Sequence, residues 1–225
     1  MSVRTLQGPG VDDVFVSTSC PDEVSEVFER AYAEAHGDVA MVPWCAGRPN
    51  PAIVAWLNAE ASAIVRPGSR VVVVGCGLGD DVAELSYRGY DVVGFDISQA
   101  AIDWAKERHV EFADRFIVAD LFDLPSRMLR RFDLVIEAYT IESVPASMRP
   151  GAARAVASLA RPHGLILAVC CGRDEQDADE SGSSLCVSEL SGLFAEAGMC
   201  CGRGVDDFMD DEDPPVRRLR ALFQH

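Results

Sequence analysis

After its first twenty or so residues, the chain places Val24, Val27, Phe28, Ala31 and Tyr32 at helical spacing, which predicts an amphipathic helix over 21–36, opened by Pro21 and Asp22 and stopped by Gly37. The segment VPWCAGRPNP at 42–51 is rich in Pro and Gly and reads as an irregular loop feeding a second helix over 51–65, which Pro67 and Gly68 end. From Arg70 the period changes. Val71, Val72, Val73 and Val74 form a β-branched run without alternation, the pattern of a strand covered on both faces in a parallel sheet. A helix over 80–88, a strand over 91–95, a helix over 99–109, strands over 115–119 and 132–138, a helix over 147–160, a strand over 164–171 and a helix over 187–197 follow. Strands over 199–208 and 216–223 are joined by a proline-bearing turn too short for a crossover helix, so they are expected to pair antiparallel at the sheet edge. The sum is an α/β fold: a doubly wound, mostly parallel seven-stranded Rossmann-like sheet with an antiparallel C-terminal strand. With 225 residues the chain fits one domain, residues 1–68 supplying helices and a loop and 69–225 the core.

Composition narrows the partners. Hydrophobic residues make up 48% and charged residues 25%, as in ordinary soluble domains, and the net charge of −16 argues against a nucleic-acid partner, whose phosphates call for Lys and Arg. Two acidic runs, 174–180 and 206–213, read as solvated loops. No apolar stretch reaches the roughly 18 residues that span a bilayer and no leader pattern opens the chain, so a cytoplasmic protein without membrane contact is expected. The 8 cysteines show no CxxC pair and no zinc spacing, hence no metal site, and they read as buried reduced thiols.

The chemistry gathers at strand ends. Strand 71–74 runs directly into Gly75-Cys76-Gly77-Leu78-Gly79, glycines that allow a sharp turn and close approach of backbone to a ligand. Asp96 ends the next strand about 20 residues on, where a carboxylate can take two ribose hydroxyls, while Ser98 is the better cap for the following helix. Asp120 and Leu121 end the third strand and suit the amine and face of an adenine. All three tips converge outside the carboxyl ends of a parallel sheet, pointing to an adenosine-containing cofactor. A nicotinamide dinucleotide fits less well, since Asp80 stands where GxGxxG has its third glycine and, with no basic residue foreseen beside it, would repel a pyrophosphate.

Together VVVVGCGLGDD, VVGFDIS, FIVADLFDLP and FDLVIEAYTIESVP resemble the successive motifs of the class I S-adenosylmethionine-dependent methyltransferases. That resemblance, covering about 42–223, implies S-adenosylmethionine as cofactor and S-adenosylhomocysteine as product. It places Gly75, Cys76, Gly77 and Gly79 under the methionine part, Asp96 on the ribose, Ile97, Asp120 and Leu121 around the adenine, and Glu137 and Ala138 facing the transferable methyl. PWCAGRPNP is similar to the PWxxGxxxP segment of the thiol and halide methyltransferases, relatives of the thiopurine enzymes. By that likeness Trp44 and Arg48 belong to a loop closing over the cofactor, Trp44 covering the sulfonium, although packing of the loop on the core would also account for Trp44.

Methyl transfer from a sulfonium needs alignment and exclusion of water more than a strong base. None of His36, His109, His163 and His225 falls at a strand tip facing the methyl, which favours an acceptor that is already nucleophilic, such as a small thiol with pKa near 8.5. N- or O-methylation of a small metabolite and a binding module without turnover are the alternatives, with an oxidoreductase behind them. Tyr139, Thr140 and Glu142 after one strand and Cys171, Arg173 and Asp174 after the next are expected to line the acceptor pocket. Tyr139 could position the acceptor or help remove its proton; Arg173 could hold an anionic group or form a salt bridge with its acidic neighbours. A monomer or homodimer is expected.

Overall fold

The computed structural model describes residues 21–177 and 183–225. One seven-stranded sheet runs through them in the order β3-β2-β1-β4-β5-β7-β6. Its strands are β1 (Arg70–Val74), β2 (Asp91–Asp96), β3 (Phe116–Val118), β4 (Phe132–Ala138), β5 (Ala160–Cys171), β6 (Cys200–Met209) and β7 (Arg217–Gln224). Strands β1 to β5 pair in parallel, and β7 runs antiparallel to both β5 and β6.

The sheet is central because its strands are apolar on both faces. Val72, Val74, Val135 and Ile166 pack toward helices α5 (Arg149–Leu159) and α6 (Val187–Glu196). On the other face Val71, Val73, Leu134 and Ile136 meet Ile53 and Trp56 of the helix after the loop, Val82 and Leu85 of α3 (Asp80–Tyr87) and Ile102 of α4 (Gln99–Arg108). The four valines of β1 are all at most 3% exposed, so the run without alternation reflects two covered faces.

Helix α1 (Pro21–Glu34) packs on α4, and Glu29 accepts from Ser98 Oγ at 2.7 Å and from Ala100 N at 3.1 Å. Ser98 in turn caps α4 by accepting from Ala101 N at 3.0 Å. A carboxylate from a distant helix thus sits at the first turn of α4, where the helix dipole favours negative charge.

Several expectations shift. The helix over 51–65, here α2, is α over Pro51–Trp56, π over Leu57–Ala61 and α again over Ser62–Ile64. Strand β3 is shorter than 115–119, because a 3-10 segment, Val110–Arg115, occupies its start. Strand β5 begins at Ala160 rather than 164, directly where α5 ends. The acidic run 206–213 is not a plain solvated loop. Asp206 pairs with Arg220 at 2.7 Å, Asp207 with Arg217 at 2.7 Å and Asp210 with Arg218 at 2.6 Å, a row of charges knitting β6 to β7. On β6 the register shifts between Cys201 and Val205, leaving a bulge on the outermost strand. The thiols are less uniform than expected: Cys170 and Cys186 are buried, Cys45, Cys76, Cys171 and Cys201 half-buried and Cys200 exposed, while Cys20 and residues 178–180 of the first acidic run lie outside the described residues. No helix among the described residues is long and apolar enough to cross a membrane.

Candidate active site

A cavity of about 930 Å³ opens where the carboxyl ends of β1, β2 and β4 meet. The chain reaches it from β1 through residues 75–79, whose three glycines all have positive φ, between 49° and 83°. At Gly75 a Cβ would lie 2.4 Å from Thr140 Oγ1, which itself donates to the Val74 carbonyl at 3.2 Å; the β1 turn and the turn after β4 are interlocked at this point. Gly79 begins α3, behind the cavity wall.

Asp96 is 7% exposed and holds the loop from below. One carboxylate oxygen accepts from Gly77 N at 2.9 Å and the other from Ser98 N at 3.0 Å. Burial raises its pKa and those two N–H groups counter the shift. Ile97, Asp120 and Leu121 stand beside it on the cavity wall, with the Asp120 carboxylate accepting from Phe122 N at 2.8 Å.

The Pro- and Gly-rich segment forms the opposite wall. Trp44 Nε1 donates to Tyr32 Oη at 2.9 Å, and its ring meets Phe28 and Tyr32 edge-on with centroids 5.3 and 5.9 Å apart. Arg48 lies on the rim. Asn50 N donates to Asp81 Oδ1 at 2.7 Å, tying this segment to α3; burial pushes the Asp81 carboxyl up to about 6. Asp80, expected to stand without a basic neighbour, instead pairs with Arg108 at 2.7 Å. Repulsion of a pyrophosphate by a lone Asp80 is therefore no argument against a dinucleotide; Arg108 lies one helix away, at the far end of α4, beyond the reach of local pattern reading.

The far end of the cavity is built by β4, β5 and β7. Ala138 and Tyr139 follow β4, and Tyr139 adopts φ 63°, uncommon for a bulky side chain. Arg218 of β7 lies over its ring at 4.9 Å, donates to Cys171 Sγ at 2.7 Å and is ion-paired with Asp210 and, at 3.3 Å, with Glu212. Burial raises the Tyr139 hydroxyl and the Cys171 thiol well above their ordinary range. Glu142, 3% exposed, accepts from Cys171 N through both oxygens, at 3.0 and 2.9 Å, and burial pushes it up to about 8.

Trp44, Arg48, Gly75, Cys76, Gly77, Asp96, Ile97, Asp120, Leu121, Ala138 and Tyr139 thus share one cavity. Glu137, Gly79 and Arg173 do not line it. Glu137 Oε1 accepts from Thr140 N and Ile141 N at 2.8 and 2.9 Å, so its side chain closes the turn after β4, and burial pushes it up to about 7. Arg173 is drawn the other way, to Glu189 at 2.5 Å and the Asp177 carbonyl at 2.8 Å, while Asp174 pairs with Arg217. The cation at the far end of the cavity is Arg218, which no local motif marks: in RRLRALF it looks like any other arginine of an edge hairpin. Tyr32, Phe28 and Asn50 also reach the wall without a sequence signal beyond helical spacing or a turn.

The thiopurine S-methyltransferase family model matches residues 36–218. Thiocyanate methyltransferase 1 of Brassica oleracea is 28% identical over 155 residues, 65% of this chain and 66% of that protein. Thiopurine S-methyltransferase of Legionella pneumophila (strain Paris) is 25% identical over 146 residues, 55% of this chain and 65% of that one. The matched stretch thus spans a little under two thirds of the length of these relatives. Among solved structures, 1,6-didemethyltoxoflavin-N1-methyltransferase of Burkholderia thailandensis, with its substrate and S-adenosylhomocysteine bound, is 17% identical over 94% of this chain and 92% of that one, with a TM-score of 0.69, a likeness of fold. The glycine turn, the acids at successive strand tips and the family match over most of its length agree, and the chain belongs to the thiopurine S-methyltransferase family.

Proposed function

We propose that this protein binds S-adenosylmethionine in the cavity and transfers its methyl group to the sulfur of a small thiol or similar soft nucleophile. The observation that carries this reading is the junction of two unlike walls. On one side stand the glycine turn and a buried Asp96; on the other, the aromatic rings of Phe28, Tyr32 and Trp44. A carboxylate at a strand tip suits a ribose, and aromatic faces suit a cation rather than a phosphate. A volume of about 930 Å³ holds a nucleoside cofactor with room for a small acceptor. The bound cofactor supplies an electrophilic methyl on a sulfonium.

In this reading residues 75–79 and Asp96 position the nucleoside and methionine parts. Asp120 and Leu121 take the adenine. Trp44 and Arg48 close the entrance, excluding water from the transfer path. Tyr139, fixed by the Arg218 guanidinium over its ring, shapes the acceptor end. None of the four histidines lines the cavity, which fits an acceptor that needs no imidazole base. The names of the curated relatives, thiocyanate and thiopurine methyltransferases, support sulfur as the atom methylated.

Thermal-shift titration with S-adenosylmethionine against NAD, followed by incubation with thiols, amines and phenols while S-adenosylhomocysteine is measured, tests the proposal. S-adenosylmethionine at 100 times its Kd should stabilise the protein by about 2.7 kcal/mol. Thiols should give the most product. Stronger stabilisation by NAD, or turnover confined to amines or phenols, would refute it.

A further inference from the structure

At the acceptor end, one acidic side chain, Glu142, faces the cavity with no ion pair among the described residues. Glu142 lines it and takes hydrogen bonds from Cys171, by the N–H to both oxygens and by the thiol. A carboxylate has about four lone-pair sites, so accepting capacity remains. Arg218 nearby is committed to Asp210, Glu212 and Cys171 Sγ. Glu137, the other buried carboxylate of this region, is turned away into its own backbone turn. Thr140, two residues before Glu142, touches the Gly75 turn, so Glu142 stands close to where the methionine end of the cofactor is proposed to lie.

We propose that Glu142 accepts the proton of the incoming thiol, and that the site consequently selects neutral, proton-bearing thiols over acceptors that arrive as anions. The inference rests on the S-methylation reading above. In the step, the acceptor sulfur forms its bond to the methyl carbon as the carbon–sulfonium bond breaks, the breaking pair staying on the sulfur of S-adenosylhomocysteine. The S–H proton passes to an oxygen of the ionised Glu142 carboxylate, the form that grows in as pH rises toward about 8, and then to solvent. Burial pushes Glu142 up to about 8, close to an ordinary thiol near 8.5, so this transfer is nearly balanced, which is where a general base is most effective. Beside burial, the facing Glu137 holds its pKa up, while the hydrogen bonds from Cys171 and the Arg218 guanidinium pull it down; Tyr139 and Cys170 face it as well. Arg149 donates to its backbone carbonyl at 3.3 Å. An anion such as thiocyanate brings no proton and meets a like charge once Glu142 ionises.

The test compares wild type, Glu142→Gln and Glu142→Ala with a neutral thiol and with thiocyanate, after confirming S-adenosylmethionine binding by calorimetry. Glutamine keeps an oxygen for Cys171 N and should fold. Its kcat with the thiol should fall by roughly 100-fold, the low end for a lost general base, while thiocyanate turnover holds or rises. Formate should restore part of the thiol turnover in Glu142→Ala, a rescue that repairing a packing defect would not give. In the protein without cofactor, the protonated-carboxyl infrared band should keep in wild type a component that vanishes only as pH passes about 8, beyond the loss of Asp81 and Glu137 near 6 and 7, and that component should be missing in Glu142→Gln. Thiol turnover by Glu142→Gln at the wild-type rate, or a wild-type preference for thiocyanate unchanged by the substitution, would overturn the assignment of Glu142. A wild-type protein that binds S-adenosylmethionine but methylates no thiol would instead overturn the S-methylation reading itself.

Discussion

Asp96 does two things with one side chain: its oxygens hold the N–H groups of Gly77 and Ser98, and so it fixes both the glycine turn and the start of α4. Replacing it by Ala leaves those donors without their partner in a buried place, at about 1–3 kcal/mol each. Calorimetric titration of Asp96→Ala should show S-adenosylmethionine affinity reduced at least about tenfold, with a lower melting temperature; unchanged affinity would detach Asp96 from the cofactor. Strand-tip residues such as Asp96 and Asp120 can be read from sequence, because a parallel sheet delivers the ends of its strands to one edge. Direction is harder to read. Glu137 and Arg173 also sit at strand ends, yet each turns toward a nearer partner, two backbone N–H groups in one case and Glu189 in the other. Arg218 was illegible for the opposite reason, since it joins Cys171 across 47 positions of sequence.

Between elements, a tight fit lies where α3 crosses β2. A Cβ on Gly94 would come within 2.5 Å of Val82 Cγ2 and 2.9 Å of the Cys76 Cβ. Gly94→Ala should therefore push α3 outward and displace the turn that precedes it. Overpacking of this kind costs about 1–3 kcal/mol, to be read in urea unfolding, with cofactor affinity falling in parallel. Full stability in that variant would mean that α3 shifts freely. The alternation of strand and helix and the buried run of β1 followed from periodicity, because each element satisfies its own pattern, and the final antiparallel pair followed from a turn too short for a crossover helix. The π turn of α2 did not, since PAIVAWLNAEASAI has an unbroken helical pattern. The shortness of β3 escaped for a similar reason: the 3-10 segment before it carries residues that a strand would also accept.

Across the whole molecule, negative charge and burial act together. Burial raises Asp81 to about 6, Glu137 to about 7 and Glu142 to about 8, against roughly 4 in an open chain. The folded protein therefore holds protons that the unfolded chain releases. Their contribution is fully present below about pH 4 and is lost as pH rises through the folded values, so stability declines from about pH 5 to 8. The net charge of −16 adds self-repulsion in the same direction. Melting temperatures of the cofactor-free protein should thus be higher at pH 5.5 than at pH 8; a flat or rising profile would contradict the burial of these three carboxyls.

The bulge between Cys201 and Val205 has a consequence for the rim of the sheet. Among the described residues β6 is the outermost strand, and a strand in that place offers its outer backbone groups as a template for another chain. The extra residues twist that ribbon out of register, and just beyond them the Asp206–Arg220 and Asp207–Arg217 pairs crowd it with charge. The sheet ends in a frayed, charged hem on which a further strand finds no regular seam.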